Sequence, residues 1–389
     1  MIHPRKIFNK ITPYLNAPEA IIITGMRRTG KTTVLNYFFD QIDSKNKVFL
    51  DLENPINRQL FSAPNYEQIK SSIEILGIDF TKRAYLFIDE IQFVKALPSV
   101  VKYFIDHYRM KFFLTGSASF YLKNLFTESL SGRKYLFELF PLDFTEFLDF
   151  KGSSIKLSPK NQKITKTQFE MISPLFNEFV LYGGFPGVVL KTSTDEKKKA
   201  LEEVFTSFFQ LEVLQLADFR RNEVIHRLIL LLMQRIGSKL NIHKLSKELG
   251  ITRPTLYDYI TFLEGIYFIK TIRPYTRGRN SEMRKMPKFY LCDVGLANHF
   301  AQLSMGHLFE NSVFQILRTR GDLNFYEKKN GIEIDFVLDR KVAYEVKITP
   351  SQSDYRKLKK AVHELQFEEF YIVSQTYSEI DKVRYGFSI

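Results

Sequence analysis

Cysteine and long apolar runs are scarce in this chain of 389 residues. The single cysteine, Cys292, excludes an internal disulfide and is typical of a reducing compartment. The longest purely aliphatic stretch, LILLLM at 228–233, is far shorter than the ~20 apolar residues that a membrane span needs. The sequence does not open with the charged and then apolar segments of a secretory signal. We therefore expect a cytoplasmic protein that makes no membrane contact.

The overall composition is that of a globular protein. It is 44% hydrophobic and 25% charged, it contains no internal repeat or low-complexity tract, and its length predicts roughly two to four domains. Seven scattered histidines and one cysteine do not indicate a structural zinc site. The formal net charge of +13 predicts attraction to polyanions, of which nucleic acid is the commonest.

A phosphate-binding loop is predicted in AIIITGMRRTGKTTVLNYFF (20–39), which reads as a β-strand, a glycine loop and a helix. Residues 25–32 match the pattern G-x-x-x-x-G-K-[ST] in full. The glycines let backbone N–H groups face a phosphate, and the helix N-terminus adds its dipole. Lys31 is predicted to reach the β- and γ-phosphates, and Thr32 to place its hydroxyl on Mg²⁺. The nucleotide contacts predicted from this segment are Gly25, Arg28, Thr29, Gly30, Lys31, Thr32 and Thr33.

Two further apolar strands end in polar residues, as the strands of a ligand-binding parallel sheet do. RAYLFIDEIQ (83–92) predicts that Asp89 holds Mg²⁺, directly or through water, and that Glu90 is the base that orients the attacking water. The alternative for Glu90 is an acid at a helix N-terminus. In KFFLTGSASFYL (111–122), Ser117, with Thr115 as the second choice, is predicted to contact the γ-phosphate or the attacking water.

An arginine follows these strands in SGRKYLFELFPLDF (131–144). Arg133 could stabilise charge on the transferring phosphate, either within its own chain or from a neighbouring subunit of a homo-oligomer. The alternative is a surface salt bridge.

Five segments, TGMRRTGKTT, FIDEIQ, LTGSAS, SGR and YGGFPG (182–187), together resemble the prokaryotic AAA-type ATPases related to the STAND class. In that family a Gly-x-Pro segment touches the adenine, and the matching residues here are Gly184 and Pro186. The resemblance implies ATP rather than GTP, and the Asn-Lys-x-Asp motif usual in GTPases is not found.

The middle of the chain is predicted to be helical. Residues 151–222 read as an exposed connection followed by helices that form a lid over the nucleotide. NIHKLSKELGITRPTLYDYITFLEGIYFI (241–269) then has a helix-turn-helix pattern, with the turn at Gly250 and Thr252 capping the second helix. The apolar face predicted for that second helix is Leu256, Tyr259, Ile260 and Leu263. A strand-like segment follows, so the pattern predicts a winged helix.

Two segments here are candidates for nucleic-acid contact. The outward residues of the second helix include Arg253 and Tyr257, but also Asp258, which would repel phosphate. DNA contact and a structural role in the lid therefore both stay open. RPYTRGRNSEMRKMPK (273–288) predicts a basic loop, with a solvated loop as the alternative. Its charges are Arg273, Arg277, Arg279, Arg284, Lys285 and Lys288 against Glu282.

The last hundred residues predict the element order α-β-β-β-α-β, which resembles the restriction-endonuclease core. In IEIDFVLDRKVAYEVK (332–347), Glu345 and Lys347 project from the same face of one strand. Asp335 can reach them from the hairpin partner. Asp335 and Glu345 would hold Mg²⁺ or Mn²⁺, and Lys347 would steady the hydroxide or the phosphate. In the resembled fold an acid on the preceding helix adds a carboxylate, and here that acid is Glu310. The alternative is a surviving fold without activity.

The whole chain is similar to ATPases that pair an AAA-type domain with a C-terminal domain of unknown function having an endonuclease-like core. We expect an α/β protein with a P-loop ATPase domain at 1–150, a helical lid at 151–222, a winged helix with its basic loop at 223–289, and a restriction-endonuclease-like domain at 290–389. The predicted function is ATP hydrolysis coupled to nucleic acid, DNA in preference to RNA, and to metal-dependent cleavage. The alternative is an ATP-controlled switch whose C-terminal fold only docks DNA or protein.

Overall fold

A computed structural model describes residues 2–63, 65–116, 130–157, 163–214, 222–276, 278, 282, 285–328 and 332–389. It divides the chain into two compact units. The first unit contains Met1–Phe140, Ser207–Ala217 and Gly265–Tyr267, and the second contains Pro141–Thr206, Asp218–Glu264 and Phe268–Ile389. Each unit has a β-sheet of its own.

The first unit is built on a five-stranded parallel sheet with the strand order β2-β3-β4-β1-β5. The strands are β1 (Ala20–Thr24), β2 (Lys47–Asp51), β3 (Ala84–Asp89), β4 (Met110–Gly116) and β5 (Lys134–Glu138). The helices are α1 (Lys6–Ile11), α2 (Lys31–Gln41), α3 (Pro55–Leu60), α4 (Tyr66–Ile75) and α5 (Leu97–His107). A π-helical turn, Phe209–Leu214, also belongs to this unit.

The three central strands, β1, β3 and β4, are mainly apolar and are buried on both faces of this sheet. Ile22 and Leu86 belong to one hydrophobic cluster, whereas Ile21 and Phe87 belong to another. Alternation of neighbouring residues between two cores is what a parallel sheet covered on both faces requires. The carboxyl ends of β1, β4 and β3 consequently lie side by side at one edge.

The second unit begins with helices and continues into a mixed sheet. Its first helices are α6 (Phe144–Phe150), α7 (Lys166–Tyr182), α8 (Pro186–Val189), α9 (Thr194–Phe208), α10 (Asn222–Gln234), α11 (Ile242–Leu249) and α12 (Arg253–Gly265). The remaining helices are α13 (Val294–Ala301), α14 (Met305–Leu317) and α15 (Gln352–Leu365). The strands are β6 (Ile269–Pro274), β7 (Lys288–Leu291), β8 (Leu323–Glu327), β9 (Glu333–Leu338), β10 (Val342–Lys347), β11 (Glu369–Ser374) and β12 (Val383–Tyr385).

The seven strands of the second unit form one sheet in the order β12-β11-β10-β9-β8-β6-β7. This differs from the predicted division, which placed a domain boundary between residues 289 and 290, within β7. The physical reason is that β6 pairs with β7 in an antiparallel hairpin and with β8 in parallel. The edge of the hairpin is thereby covered by the C-terminal strands instead of being left open.

The predicted helix-turn-helix pattern agrees with the burial of α11 and α12. Gly250 ends α11 in the left-handed conformation with φ 67°, and Leu256, Tyr259, Ile260 and Leu263 are buried. Tyr257 is 57% exposed, and Arg253 and Asp258 are also exposed, as the pattern predicts.

The fold class is confirmed: a parallel P-loop-type sheet is followed by a separate mixed sheet. The order α14-β8-β9-β10-α15-β11 is the predicted α-β-β-β-α-β. No helix in the described ranges is both long enough and apolar enough to cross a bilayer. Ser117, Arg277, Arg279 and Arg284 lie outside the described residues.

Candidate functional site

The phosphate loop joins β1 to α2 through two glycines with unusual backbone angles. Gly25 has φ 154°, and a Cβ added there would lie 2.1 Å from the backbone oxygen of Leu139. Gly30 has φ 95° and is the N-cap of α2. Other residues are disfavoured at both positions, by a backbone clash at Gly25 and by the left-handed conformation at Gly30. A loop of this kind before a helix N-terminus is the geometry that binds phosphate.

Lys31 is buried at the start of α2 and turns back across the loop. Its Nζ donates to the carbonyl oxygens of Gly25 and Met26, each at 3.0 Å. Burial lowers the pKa of Lys31, while the charges of Glu90 and Glu212 oppose that shift. The ammonium group is therefore held over the loop, where a phosphate chain would pass.

Asp89, at the end of β3, receives donors from three directions. Thr32 Oγ1 donates to Asp89 Oδ2 at 2.6 Å. The Thr115 hydroxyl and the backbone N–H of Glu90, the latter at 3.0 Å, donate to Oδ1. The Thr32 hydroxyl and the Asp89 carboxylate are thus adjacent hard oxygen ligands, which fits a Mg²⁺ ion that keeps several waters.

Glu90 follows Asp89 with φ 56°, a left-handed angle that is uncommon for residues other than glycine. Its carboxylate accepts a hydrogen bond from Gln92 and lies 3.8 Å from Arg27 Nη1. Burial raises the pKa of Glu90, and the charges of Lys31 and Arg27 counteract part of that effect. This position, at the carboxyl ends of the strands beside Asp89, agrees with the predicted base.

The other residues predicted to bind the nucleotide have no side-chain contact with Lys31, Asp89 or Glu90 in the hydrogen bonds described above. Arg28 is exposed, with φ 65°, and Thr33 is exposed on α2. Thr29 is buried and donates from Oγ1 to the Met26 carbonyl oxygen at 2.8 Å, so it shapes the loop. Pro186 is the first residue of α8 in the second unit, and its predicted adenine contact stays a prediction.

Arg133 lies at the opposite edge of the sheet from the phosphate loop. The N–H of Ala20, the first residue of β1, donates to its carbonyl oxygen at 2.9 Å, whereas the loop follows the last residue of β1. At ~3.3 Å per residue the strand separates them by roughly 15 Å, more than an arginine side chain spans. Its Nε donates to Asp106 Oδ1 at 2.6 Å in a surface ion pair. The structure therefore contradicts action within the same chain, and action from a neighbouring subunit stays a prediction.

A carboxylate cluster, formed by Glu310, Asp335 and Glu345, lies in the second unit. The short turn at Asp339–Arg340 has φ of 49° and 62°, and it pairs β9 with β10 so that Tyr344 is opposite Phe336. Asp335 then accepts a hydrogen bond from the Val346 N–H at 2.7 Å. The predicted residues of β9 and β10 are therefore neighbours.

Four further side chains tie this cluster together. Lys347 Nζ donates to Glu345 Oε1 at 2.7 Å, and the hydroxyl of Tyr290 donates to Glu310 Oε1 at 2.7 Å. Lys288 lies 2.5 Å from Glu333 Oε1 and 3.9 Å from Glu310 Oε1. Lys288 was predicted to belong to a basic loop, but it is buried in β7, where these acids neutralise it.

The acids of the cluster are hard to ionise together. Burial, followed by the charge of Asp335, raises the pKa of Glu310 to about 7 and that of Glu345 to about 8. Burial also raises the pKa of Asp335 itself, although Lys288 acts in the opposite direction. Low dielectric and like charges both disfavour the ionised forms.

The fit of this cluster to a metal ion is partial. Glu345 Oε2 is buried with no hydrogen-bond partner among the residues that the structure describes, so an acceptor is left over there. Among all the residues that the structure describes, no three His, Cys, Asp or Glu side chains are grouped closely enough to hold a metal ion. Asp335 and Glu345 suit an ion that keeps much of its water, as Mg²⁺ does.

Three family descriptions match successive parts of the chain. An AAA domain matches residues 17–148, the domain of unknown function DUF8612 matches residues 173–306, and the domain of unknown function DUF4143 matches residues 305–387. The first match covers the five-stranded sheet and the phosphate loop. Residues 17–148 therefore form an AAA-type P-loop domain. The DUF4143 region, which contains the carboxylate cluster, has no assigned function.

Full-length relatives exist but have no assigned function either. An uncharacterized protein of Methanocaldococcus jannaschii, MJ1544, is 29% identical over 96% of this chain and 86% of its own length. An uncharacterized protein of Haemophilus influenzae is 26% identical over 91% of this chain and 90% of its own length.

Solved structures resemble the chain only loosely. The Aeropyrum pernix ORC1 protein in complex with DNA has a TM-score of 0.36 at 10% identity, covering 78% of this chain and 93% of that one. A STAND protein from Pyrococcus horikoshii has a TM-score of 0.31 at 14% identity, covering 82% of this chain and 46% of that one. Scores this low do not bear on function.

Sequence reasoning missed two charged residues of the AAA domain site. Arg27, rather than its neighbour Arg28, is the buried arginine of the phosphate loop, and its Nε donates to Glu212 at 3.0 Å. Nothing in the motif distinguishes the two arginines, because the backbone turn decides which of them faces inward. The available signal for Glu212 is its place as a single acid in the otherwise uncharged stretch VFTSFFQLEVLQL.

Proposed function

We propose that the chain hydrolyses ATP at the phosphate loop and that the second unit uses this cycle to act on nucleic acid. The observation that carries the first part is the convergence of Lys31, Thr32, Asp89 and Glu90 at the carboxyl edge of one sheet. This convergence supplies a cation, a pair of metal ligands and a base, which are the parts that phosphoryl transfer needs.

Each side chain has a separate task in that reaction. Lys31 binds the β- and γ-phosphates and offsets the charge that develops on them. Mg²⁺, held by Thr32 and Asp89, would add charge neutralisation at the phosphate oxygens. Glu90 accepts a proton from, or orients, the attacking water. Ser117, outside the described residues, keeps its proposed contact with the γ-phosphate, and Thr115 holds Asp89 in place.

For the second unit we propose metal-dependent cleavage of a phosphodiester. Asp335 and Glu345 would hold Mg²⁺ or Mn²⁺, which would supply Lewis-acid charge to the phosphate. Lys347 would steady the attacking hydroxide or the phosphate, and Glu310 would add a further carboxylate. The support is the partly unsatisfied carboxylate cluster on the predicted strands.

Nucleic acid would be bound through the helix-turn-helix region and its basic loop. We propose that α10–α12 with the β6–β7 hairpin form a winged helix. Its exposed residues include Arg253 on α12, Arg273 on β6 and Lys285. Exposed basic side chains on such elements contact the phosphate backbone, which dominates affinity and gives it a salt dependence. The net charge of +13 is also positive, as binding to a polyanion requires. We propose DNA in preference to RNA.

One observation favours the switch alternative. Three acids grouped to hold a metal ion are not found within the described residues. A C-terminal fold that docks DNA or protein without cutting would need no such group. In that case ATP binding and slow hydrolysis would control partner binding or the assembly of a homo-oligomer, with Arg133 acting between subunits.

The deciding experiment measures cleavage of single-stranded and duplex DNA with Mg²⁺ or Mn²⁺, with and without ATP. Lys31→Ala and Asp335→Ala proteins serve as matched controls, one for each unit. We expect cleavage that is lost in Asp335→Ala and that changes with ATP only when Lys31 is present. ATP hydrolysis without cleavage of DNA, and of RNA assayed in parallel, would replace the nuclease by the switch.

A further inference from the structure

The side chain of Arg27 is the meeting point of three acids around the phosphate loop. Its Nε donates to Glu212 Oε1 at 3.0 Å, and its Nη1 lies 3.5 Å from Glu53 Oε1 and 3.8 Å from Glu90 Oε1. The Arg27 side chain is 10% exposed, and the Glu212 side chain is 2% exposed. Arg27 thus links Glu90, the proposed base, to Glu212, which lies 185 residues after Arg27 in the chain.

Glu212 reaches this position from a π-helical segment that extends a regular helix at its C-terminal end. The helix α9 ends at Phe208 and continues directly into the π-helical turn Phe209–Leu214, which belongs to the first unit. π-helical turns often occur at functional sites, because they re-aim a side chain that a regular helix would direct elsewhere. Here the turn places the buried Glu212 carboxylate against the loop arginine.

The pair is also poorly explained as a stabilising ion pair. Arg27 Nη2 and Glu212 Oε2 are buried and have no hydrogen-bond partner among the described residues. Burying two charged groups costs hydration free energy, and their mutual attraction does not fully offset that cost when some of their atoms lack hydrogen bonds. Apolar residues in their place would give equal or greater stability. A role in the reaction accounts for the arrangement more directly than a role in folding.

The geometry of the guanidinium explains what Glu212 would do. The group is planar and rigid, so a bond that fixes Nε also fixes the direction in which both terminal nitrogens point. With Nε held by Glu212, Nη1 is directed at the side of the loop where Glu90 lies. We infer that Glu212 is a positioning residue for ATP hydrolysis, which acts by holding Arg27 so that Arg27 holds the Glu90 carboxylate.

This inference rests on the proposed hydrolysis of ATP at this site. It goes beyond that proposal by naming two residues, Arg27 and Glu212, whose identity the pattern G-x-x-x-x-G-K-[ST] does not specify. It also assigns a function to the turn Phe209–Leu214: a change in the position of the turn would alter the aim of Arg27. Glu53, which contacts the same guanidinium but is 50% exposed, provides a matched comparison.

The test separates nucleotide binding from turnover in the full-length protein. Binding of a fluorescent ATP analogue and single-turnover ATP hydrolysis are measured for wild type, Glu212→Gln, Glu212→Asp and Glu53→Gln. We expect Glu212→Gln to lower the hydrolysis rate constant about 10-fold and to change the affinity for ATP less than about 3-fold. The reason is that the Glu90 carboxylate, which Glu212 positions through Arg27, acts in hydrolysis and not in nucleotide binding. Glu212→Asp should recover most of the rate, and Glu53→Gln should lose less than about 3-fold.

Thermal unfolding shows whether each variant is folded. If Glu212→Gln is not, Arg27→Lys takes its place, because lysine keeps the charge but loses the fork that orients Glu90. Equal losses of affinity and rate in Glu212→Gln, no loss at all, or an equal loss in Glu53→Gln would each overturn the positioning role. A wild-type protein that binds ATP without hydrolysing it would refute the proposed hydrolysis itself, and the positioning role with it.

Discussion

The phosphate-loop site and the carboxylate cluster both bury acids and lysines, but they satisfy them by different means. Asp89 receives two hydroxyl donors and one backbone N–H, and Lys31 is held by two backbone carbonyls. In the carboxylate cluster the acids outnumber the lysines, and the pKa values of Glu310 and Glu345 rise to about 7 and 8. The first site thus satisfies Asp89 and Lys31 with backbone and hydroxyl groups, whereas the carboxylate cluster, organised by like charges, takes up protons unless a cation is present.

The largest effect that would sharpen this comparison is expected from Lys31→Ala. Lys31 is the buried cation that faces the transferring phosphate, so its loss should lower ATP hydrolysis about 100-fold or more. Phosphate release at saturating ATP measures this. Lys10→Ala, which removes an exposed lysine of α1, should retain the wild-type rate. A Lys31→Ala rate above a tenth of wild type would mean that the phosphates are bound elsewhere.

The next effect concerns the backbone on which the first site depends. Gly25→Ala places a Cβ 2.1 Å from a backbone oxygen, so we expect a loss of roughly 3 kcal/mol or more in the free energy of unfolding. Gly77→Ala also has a positive φ, of 93°, but its added Cβ meets nothing within 4 Å, so about 1 kcal/mol is expected from the strain alone. Urea unfolding followed by circular dichroism compares the two, and equal losses would show that the loop can shift aside.

An effect of intermediate size is expected in the pH dependence of thermal stability, because the carboxylate cluster holds more acids than lysines. Because the folded-state pKa of Glu345 is raised to about 8, its protonated form favours the folded state. That contribution is complete below the ordinary glutamate pKa and is lost as the pH rises through 8. We expect the wild-type Tm to fall between pH 6 and pH 9 by several degrees more than the Tm of Glu345→Gln.

Two additions make this pH comparison specific. Glu364→Gln, which removes an exposed acid of α15, should follow the wild-type pH dependence. Millimolar Mn²⁺ at pH 9 should raise the Tm of wild type more than that of Glu345→Gln, because a cation replaces the missing protons. Parallel Tm curves for wild type and Glu345→Gln would contradict the proposed protonation.

The smallest effect is expected from Arg133→Ala. The exposed ion pair with Asp106 should contribute little to stability, and hydrolysis at low protein concentration should stay within about twofold of wild type. Measuring the rate across protein concentration tests the remaining alternative. A wild-type rate that rises with concentration, and a mutant rate that does not, would place Arg133 at a neighbouring subunit's phosphate.

The contiguous parts of both sites were predictable because short-range rules determine them. Residues 25–32 form a loop whose glycines, lysine and threonine act through local backbone geometry, and Glu345 and Lys347 share a strand face by simple alternation. The hairpin that brings Asp335 to them follows from its short turn. Where the residues of a site lie within one loop, strand or hairpin, the local sequence pattern is enough to predict their arrangement.

The remaining parts depend on contacts between distant segments. Lys288 belongs to a run of basic residues, and only the pairing of β6 and β7 shows that it lies among acids. Glu212, which accepts a hydrogen bond from Arg27, lies in a π-helical turn that no local pattern predicts. The single seven-stranded sheet was missed for the same reason, since the pairing of β6 with β8 spans about fifty residues and has no local signature.

The shared sheet of the second unit has a consequence for how this protein has been inherited. The boundary between the DUF8612 and DUF4143 regions falls near residue 305, whereas β6 and β8, from either side of it, are hydrogen-bonded neighbours. A gene fusion that acquired only the later region would leave β8 without a neighbour along one edge and expose a template for aggregation. The two regions are therefore expected to be gained and lost together across genomes, as one heritable module.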